Sequence, residues 1–305
     1  MPQLRRRAIL LSSGWVQLIT TFSVHYRRKY GLPVGKIPLD VGVECPNRQR
    51  GGCIFCRPAG FTPLFLNRND AIGIQLAKGK KDLERRKFRF FLGYFQQETV
   101  TALPMEQLLP VMKQVMEEDG CVGLILSTRP DYIDSEIVAT LDELCLSSGK
   151  EILVEIGLQS VHDKSLRLLN RNHTFNDYRR AAELIRLAPN LQLGVHLIFG
   201  IPGESPEEML VSVERVCSGG VDALKFHHLQ VVRDTMLHRM YLRGEVRVLG
   251  VIEYMRLLAR ILAVVPRQVV IHRLWSSCHP DILVAPKWDL HAFELNELLR
   301  SHLAQ

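Results

Sequence analysis

Between residues 36 and 231 the chain alternates apolar runs with amphipathic stretches, and this alternation narrows the available folds more than any other feature of the sequence. Candidate strands lie at 36–43, 87–95, 122–128, 151–159, 191–199 and 221–231. Candidate helices lie between them, at 70–86, 105–118, 135–147, 176–187 and 207–217. Several helices carry start signals: Pro104, Asp134 or Ser135, Asn176, and Ser205 with Glu208 three residues on as a capping-box pair. Strands that alternate with helices form a parallel sheet joined by right-handed crossovers. Buried-type runs such as Leu124-Ile125-Leu126 suit strands that helices cover.

A doubly wound open sheet shows the same alternation, so the placement of polar residues has to decide. Cys45, Gln96, Arg129, Gln159, Gly203 and Gln230 fall at the carboxyl ends of the predicted strands, the rim on which barrel sites assemble. The expected fold is α/β, a partial (β/α)6 TIM-like barrel of parallel strands over residues 36–235. Residues 1–35 read as a basic helical segment. Residues 236–305 read as a C-terminal extension that packs on the barrel and closes its mouth, with a helix at 250–265, an apolar run at 268–274 and a final helix at 290–303.

Directly after the first predicted strand comes Cys45-Pro-Asn-Arg-Gln-Arg-Gly-Gly-Cys53-Ile-Phe-Cys56. Three thiols spaced C-x7-C-x2-C on a glycine-bearing loop can wrap one centre. On a 4Fe–4S cluster three ligands leave one iron open. That iron can chelate the amino and carboxylate groups of S-adenosylmethionine, whose reductive cleavage gives a deoxyadenosyl radical; the protein's share is to orient and shield. The alternative is structural zinc, which takes four ligands, usually as two close pairs. The second pair is missing here. Cys121, Cys145 and Cys217 sit at predicted element borders and read as inert core thiols, and Cys278 lies in a loop.

The cysteine loop resembles that of the YhcC/YtqA-type radical S-adenosylmethionine proteins, relatives of the Elongator catalytic subunit and of oxygen-independent coproporphyrinogen oxidase. The similarity continues through Tyr94-Phe95-Gln96, Thr99 and Thr101, Ser127-Thr128-Arg129-Pro130-Asp131, Glu155 to Ser160, Asn170-Arg171-Asn172-His173, and Ile198 to Glu204. It extends to Val270-Ile271-His272-Arg273 and Ala285-Pro286-Lys287-Trp288. The loop between the first two cysteines is shorter than that family's usual form. Asn172 stands where the family has glycine, and Asn tolerates a positive φ nearly as well.

By this resemblance Cys45, Cys53 and Cys56 ligate the cluster. Glu155 and Gln159 contact S-adenosylmethionine or order its pocket, and the Gly200-Ile201-Pro202-Gly203 turn flanks the adenine. Period-two geometry supports the first pair, because Glu155, Gly157 and Gln159 share one strand face and an unpaired carboxylate inside a barrel is costly. A buried salt bridge is the competing reading of Glu155. Arg171 suits bidentate pairing with the methionine carboxylate, with a surface arginine as its alternative. Arg129 and Asp131 form either cofactor or substrate contacts or a local turn. Of His227 and His228, which face opposite ways, at most one faces the site.

Composition bears on partners and compartment. An odd count of seven cysteines without a convincing export signal implies reduced thiols and a cytoplasmic protein. No apolar run reaches the roughly 18 residues of a membrane span. The net charge of +7 suits a polyanion such as tRNA, or is solvated surface. Kinship with Elongator implies tRNA wobble-uridine modification; a small-molecule substrate and a zinc-bound nucleic-acid adaptor are the rival readings. A radical enzyme also needs a reductant such as flavodoxin or ferredoxin.

Overall fold

The computed structural model describes residues 19–303. The first half of the basic N-terminal segment expected over residues 1–35, residues 1–18, lies outside them. In chain order the elements are β1 (Thr20–Thr21), α1 (Phe22–Tyr30), β2 (Val34–Leu39), α2 (Ile72–Arg85), β3 (Phe90–Phe95), α3 (Met105–Glu117) and β4 (Cys121–Thr128). There follow α4 (Ser135–Ser148), β5 (Glu151–Gln159), α5 (Asp163–Leu168), α6 (Phe175–Leu187), β6 (Leu191–Phe199), α7 (Pro206–Ser218) and β7 (Ala223–His228). The chain ends through β8 (Val231–Val232), α8 (Met236–Leu242), α9 (Val251–Val264), β9 (Val270–Arg273), β10 (Leu283–Ala285) and α10 (Ala292–Leu303).

Among the described residues the main sheet has eight strands in the order β1-β9-β7-β6-β5-β4-β3-β2, and every pairing in it is parallel. The sheet curls into the partial α/β barrel expected from the sequence. Two edges of that expectation change. The apolar run at 268–274 is not part of a cover over the mouth: β9 hydrogen-bonds to β7 and, with β1 from the segment expected to be helical paired beyond it, carries the sheet two strands further, because Val270 and Ile271 complete the two apolar layers that flank β7. The strand expected at 221–231 stops at His228, and Val231–Val232 pairs antiparallel with β10 in a separate two-stranded sheet.

Local chemistry sets the helix starts. Ser205 and Glu208 form the capping box read from the sequence, with Pro206 at the first helical position. Asp134 caps α4 by accepting from the Ile137 N–H at 2.9 Å. Helix α6 begins one residue before Asn176, because Thr174 and Asp177 form a second capping box with Asp in the place of Glu.

Period-two alternation divides each strand between two environments. Outward residues such as Ile37, Phe91, Leu124, Leu126, Val154, Ile156, Val195 and Phe226 join Leu108, Met112, Val115, Leu141, Ile185 and Val213 in the sheet–helix core. Each such side chain, fully buried, contributes about 1.5–3 kcal/mol. Inward residues Val34, Leu92, Ile125, Leu153, Ala223 and Val270 form an apolar floor, and α1 plugs it from below with Tyr26. The next inward layer, one pleat closer to the carboxyl ends, is polar. It contains Lys36, Tyr94, Ser127, Glu155, His196, Lys225 and His272, where barrel interiors ordinarily carry branched aliphatics.

Candidate active site

A cavity of about 240 Å³ opens at the carboxyl ends of the strands and reaches down to this polar layer. Cys45, Cys53 and Cys56 line one end of it; Gln159, Arg171, Thr128 and Arg129 line its walls; Glu155, His196, Lys225, His227 and Arg273 lie deeper.

The cysteine loop owes its path to its own sequence. After Cys45, residues Pro46–Arg50 make a 3-10 turn, which Gly51 and Gly52 end at φ of 87° and 70°. A neighbouring loop clamps it. Asn170 Nδ2 donates to Gly52 O at 2.6 Å and to Arg50 O at 3.0 Å. Asn172 Nδ2 donates to Asn47 Oδ1 at 2.8 Å, and Asn47 Nδ2 donates to Asn170 O at 2.8 Å. Asn170 and Asn172 sit at φ of 51° and 53°, so the asparagine that replaces the expected glycine does hold the left-handed turn.

Three donors point at the sulfurs. Arg171 Nη1 lies 3.1 Å and Asn47 Nδ2 3.3 Å from Cys53 Sγ, and Thr99 Oγ1 lies 3.3 Å from Cys45 Sγ. Burial, reinforced by the neighbouring Cys53, pushes the Cys56 thiol up to about 12. Thiolates at this spot therefore need a cation, which bound iron supplies. Among the described residues no three His, Cys, Asp or Glu side chains converge on the point a single metal ion would occupy. Three thiols around one end of a cavity, with donors to two of them, fit a larger centre of the 4Fe–4S type.

The sequence-predicted cofactor residues separate into three groups. Gln159 lines the cavity at φ 78°, on a bulge in the β5–β6 pairing. Arg171 is buried, with Nε on His173 Nε2 at 3.1 Å, Nη1 on Cys53 and Nη2 on Gly157 O at 2.5 Å. Its donors thus face the cysteine loop and β5 rather than an open carboxylate subsite. Gly200, Ile201 and Gly203 are not brought into the cavity lining. Ile198, at the end of β6, lines it, whereas Ile201 packs behind it with Leu169, Leu229 and Leu237. Arg129 makes a bidentate local pair with Asp131 at 3.0 and 2.9 Å and also reaches Arg171 O at 2.7 Å; its Nη1 is buried without a partner among the described residues.

Glu155 is the hub of the polar layer. Its Oε2 accepts from Tyr94 Oη and His196 Nε2, each at 2.8 Å, and lies 3.3 Å from Lys225 Nζ. Its Oε1 lies 3.0 Å from His272 Nδ1 and 4.0 Å from Lys36 Nζ. Burial works to raise this carboxyl, but Lys225, His196 and Lys36 outweigh it and hold it well below the usual range. Burial lowers Lys225 to about 7 and Lys36 to about 8, against the pull of Glu155. Burial, aided by neighbouring lysines, lowers His196 to about 4 and His272 to about 3. Both ammonium groups approach the Tyr94 ring, Lys225 at 4.7 Å and Lys36 at 5.2 Å from its centroid.

Sequence reasoning found Glu155 and Tyr94 but missed Lys36, His196 and Lys225 as their partners. The signal was present: Lys225 and His196 interrupt the apolar runs of β7 and β6 at inward positions. His228 packs on Trp288, with ring centroids 4.0 Å apart, and both it and His227 line the cavity, against the expectation that at most one of the two faces the site.

Comparison with known proteins gives this cavity a context. The Radical SAM superfamily model matches residues 41–216, and the Radical_SAM C-terminal domain model matches residues 221–305. Protein YhcC of Escherichia coli (strain K12) is 34% identical over 299 residues, covering 95% of this chain and 94% of its own length. A tRNA uridine(34) acetyltransferase of Methanocaldococcus infernus is 26% identical over 167 residues, 54% of this chain and 30% of the acetyltransferase. The structure of the archaeal Methanocaldococcus infernus Elp3, with an N-terminal deletion, superposes with a TM-score of 0.66 at 19% identity over 89% of this chain; the chain spans 62% of that structure. Family membership implies S-adenosylmethionine and a 4Fe–4S cluster as cofactors and an external reductant. The cysteine loop at the barrel's carboxyl rim and the match over more than half of the chain agree: this chain belongs to the radical SAM superfamily.

Proposed function

We propose that the chain cleaves S-adenosylmethionine reductively at a 4Fe–4S cluster ligated by Cys45, Cys53 and Cys56, and uses the deoxyadenosyl radical to abstract hydrogen from a substrate held in the barrel. The observation that carries this reading is the continuity of one cavity from the three thiols to the Glu155 layer. When bound and reduced, the cluster supplies the electron that splits the cofactor's carbon–sulfur bond.

The chain's own residues prepare the site. Arg171 and Asn47 donate to Cys53, and Thr99 to Cys45, which stabilises thiolate charge. Gln159 and Glu155 offer polar groups toward the cofactor from one strand, and the floor beneath keeps bulk water out. The reductant is a flavodoxin or ferredoxin of the cytoplasm.

For the substrate we favour tRNA, modified at the wobble uridine. A relative named for uridine 34 of tRNA shares half of this chain, the net charge is +7, and Arg48 and Arg50 stand exposed on the cluster loop. The test is deoxyadenosine yield from the reconstituted, reduced protein, with and without bulk tRNA from a strain lacking it. A yield above that of the triple cysteine variant supports the radical chemistry, and a further rise with tRNA supports the substrate. A loaded cluster that gives no deoxyadenosine with a strong reductant present overturns the reading.

A further inference from the structure

Charge does not balance at the deep end of the cavity. Lys36 and Lys225 flank Glu155, and Arg273 lines the same cavity, with Glu155 the one carboxylate at this end among the described residues. The other acid in the lining, Glu98, is spent at the cysteine end, where it accepts from the Cys45 N–H at 3.2 Å and from Arg48 at 2.8 Å. The histidines of this layer add no compensating negative charge. Of the cations that line the cavity, Arg57 pairs with Asp234, Arg129 with Asp131, Lys225 with Glu155, and Arg171 lies on Cys53. Arg273 differs: among the described residues it has neither a hydrogen-bond acceptor nor an ion-pair partner.

The fold places Arg273 there on purpose of geometry. A register shift in the β7–β9 pairing sets Arg273 opposite Lys225, in the place that regular pairing would give His272. The bulge lets consecutive residues serve one interior: His272 reaches Glu155, and Arg273 lines the cavity. Its field also bears on the neighbours, since burial first and then Arg273 hold His227 well below its ordinary range. A partly buried guanidinium with free donors binds an oxyanion in preference to remaining unpaired.

We infer that Arg273, with Lys225 beside it, forms a subsite at the deep end of the cavity for a small oxyanion, a carboxylate or phosphate monoester, carried by a small co-substrate that enters the barrel in addition to the base to be modified. The subsite sits below the rim, so a polymer's phosphate backbone running across the mouth does not reach it. The inference rests on the cavity being the substrate site, but its test is equilibrium binding and needs no turnover.

The experiment titrates acetate and inorganic phosphate, each over the millimolar range, into the cluster-loaded protein with S-adenosylmethionine present. Calorimetry is run on the wild type, Arg273→Gln, Arg273→Lys and the exposed control Arg247→Gln. We expect one saturable equivalent of one or both anions, weakened at least tenfold by Arg273→Gln, partly kept by Arg273→Lys and unchanged by Arg247→Gln. Preference between the two anions identifies carboxylate or phosphate. S-adenosylmethionine affinity, measured in parallel, stays within about twofold in Arg273→Gln. No saturable binding, or equal binding by wild type and Arg273→Gln, overturns the subsite. A tenfold loss of S-adenosylmethionine affinity without an effect on the anions assigns Arg273 to the cofactor and also overturns it. Anion binding without deoxyadenosine formation leaves the subsite standing while the radical reading fails.

Discussion

Arg171 joins two parts of the site that are distant in sequence: its Nη1 lies 3.1 Å from Cys53 Sγ, and its Nη2 donates to Gly157 O on β5 at 2.5 Å. One guanidinium thus fixes the cysteine loop to the strand that carries Glu155 and Gln159. A cationic donor to a ligating sulfur stabilises the reduced, more negative cluster. Arg171→Gln removes the charge and is expected to lower the cluster's midpoint potential by roughly 60 mV, a tenfold change for a one-electron couple. Potentiometric titration followed by electron paramagnetic resonance reads this directly; an unchanged potential would show that Arg171 only supports the loop.

The asparagine clamp separates backbone preference from hydrogen bonding. Asn170 combines a positive φ with two bonds to the cysteine loop. Asn170→Gly keeps the conformation and loses the bonds, whereas Asn170→Ala loses both. Iron content after reconstitution is expected to fall in the order wild type, Gly, Ala, with about 1 kcal/mol or more between the two variants in urea unfolding. Equal loss in both would assign the whole effect to the bonds.

Gly157 is a test of close packing. A Cβ there would meet Gln159 Nε2 at 2.9 Å and Arg171 Nη2 at 3.2 Å. Gly157→Ala therefore displaces two cavity-lining side chains without altering any thiol. We expect S-adenosylmethionine affinity to drop about tenfold or more while iron content stays near that of the wild type. Equilibrium dialysis with the loaded protein checks the first and iron assay the second.

The scaffold of this site was legible because it rests on local signals. Apolar runs, capping residues and the C-x7-C-x2-C spacing each act within a few residues, so the order of strands and the loop's place followed from them. The polar layer was less legible, because its pairs join β2, β3, β5, β6, β7 and β9 across up to 236 residues, as between Lys36 and His272. Sequence marks Lys225 only as a break in an apolar run. That the break is matched by Glu155 depends on barrel closure, which no window of the chain contains. The same limit explains β9: its pairing with β7 needs the sheet to exist first. The Gly200–Gly203 turn lies next to the lining residues Ile198 and Leu229 rather than among them, since motif order fixes where a turn lies along the chain and not which of its residues line a cavity.

Removing the hub should cost more than removing a spoke. Glu155→Gln leaves Lys225 and Lys36 buried without a counter-charge, and loss of one partner of a buried pair costs about 3–5 kcal/mol. Lys225→Met in the same chain removes one of the stranded charges and is expected to restore part of that loss. Urea unfolding of the two single variants and the double variant gives the coupling energy; strict additivity would mean that Glu155 and Lys225 do not stabilise one another.

Buried histidines set the acid limit of the fold. Burial holds His196 at about 4 and His228 and His272 at about 3, each below the ordinary 6.5, and drives His227 down as well. In the unfolded chain these rings take up protons as pH falls through about 6.5; in the folded protein they stay neutral until pH 3–4. The unfolded state therefore binds more protons across this window, and stability falls with falling pH. Each such ring contributes a slope of up to about 1.4 kcal/mol per pH unit between roughly 6 and 4. The depressed carboxyl of Glu155 acts in the same direction at the acid end, since its stabilisation is present above its unfolded pKa of about 4.5 and is lost as pH drops toward its folded value. The two lysines act at the other end: with folded values of about 7 and 8 against 10.5 unfolded, their burial penalty is relieved as pH rises through that window. Urea midpoints of the cluster-free protein should therefore rise from pH 5 to pH 9, with the steepest gain below pH 6.5. Replacing His228, which packs on Trp288 outside the Glu155 network, with Phe should flatten the acid limb without moving the alkaline one; a parallel shift of the whole curve would trace the acid sensitivity to groups other than these rings.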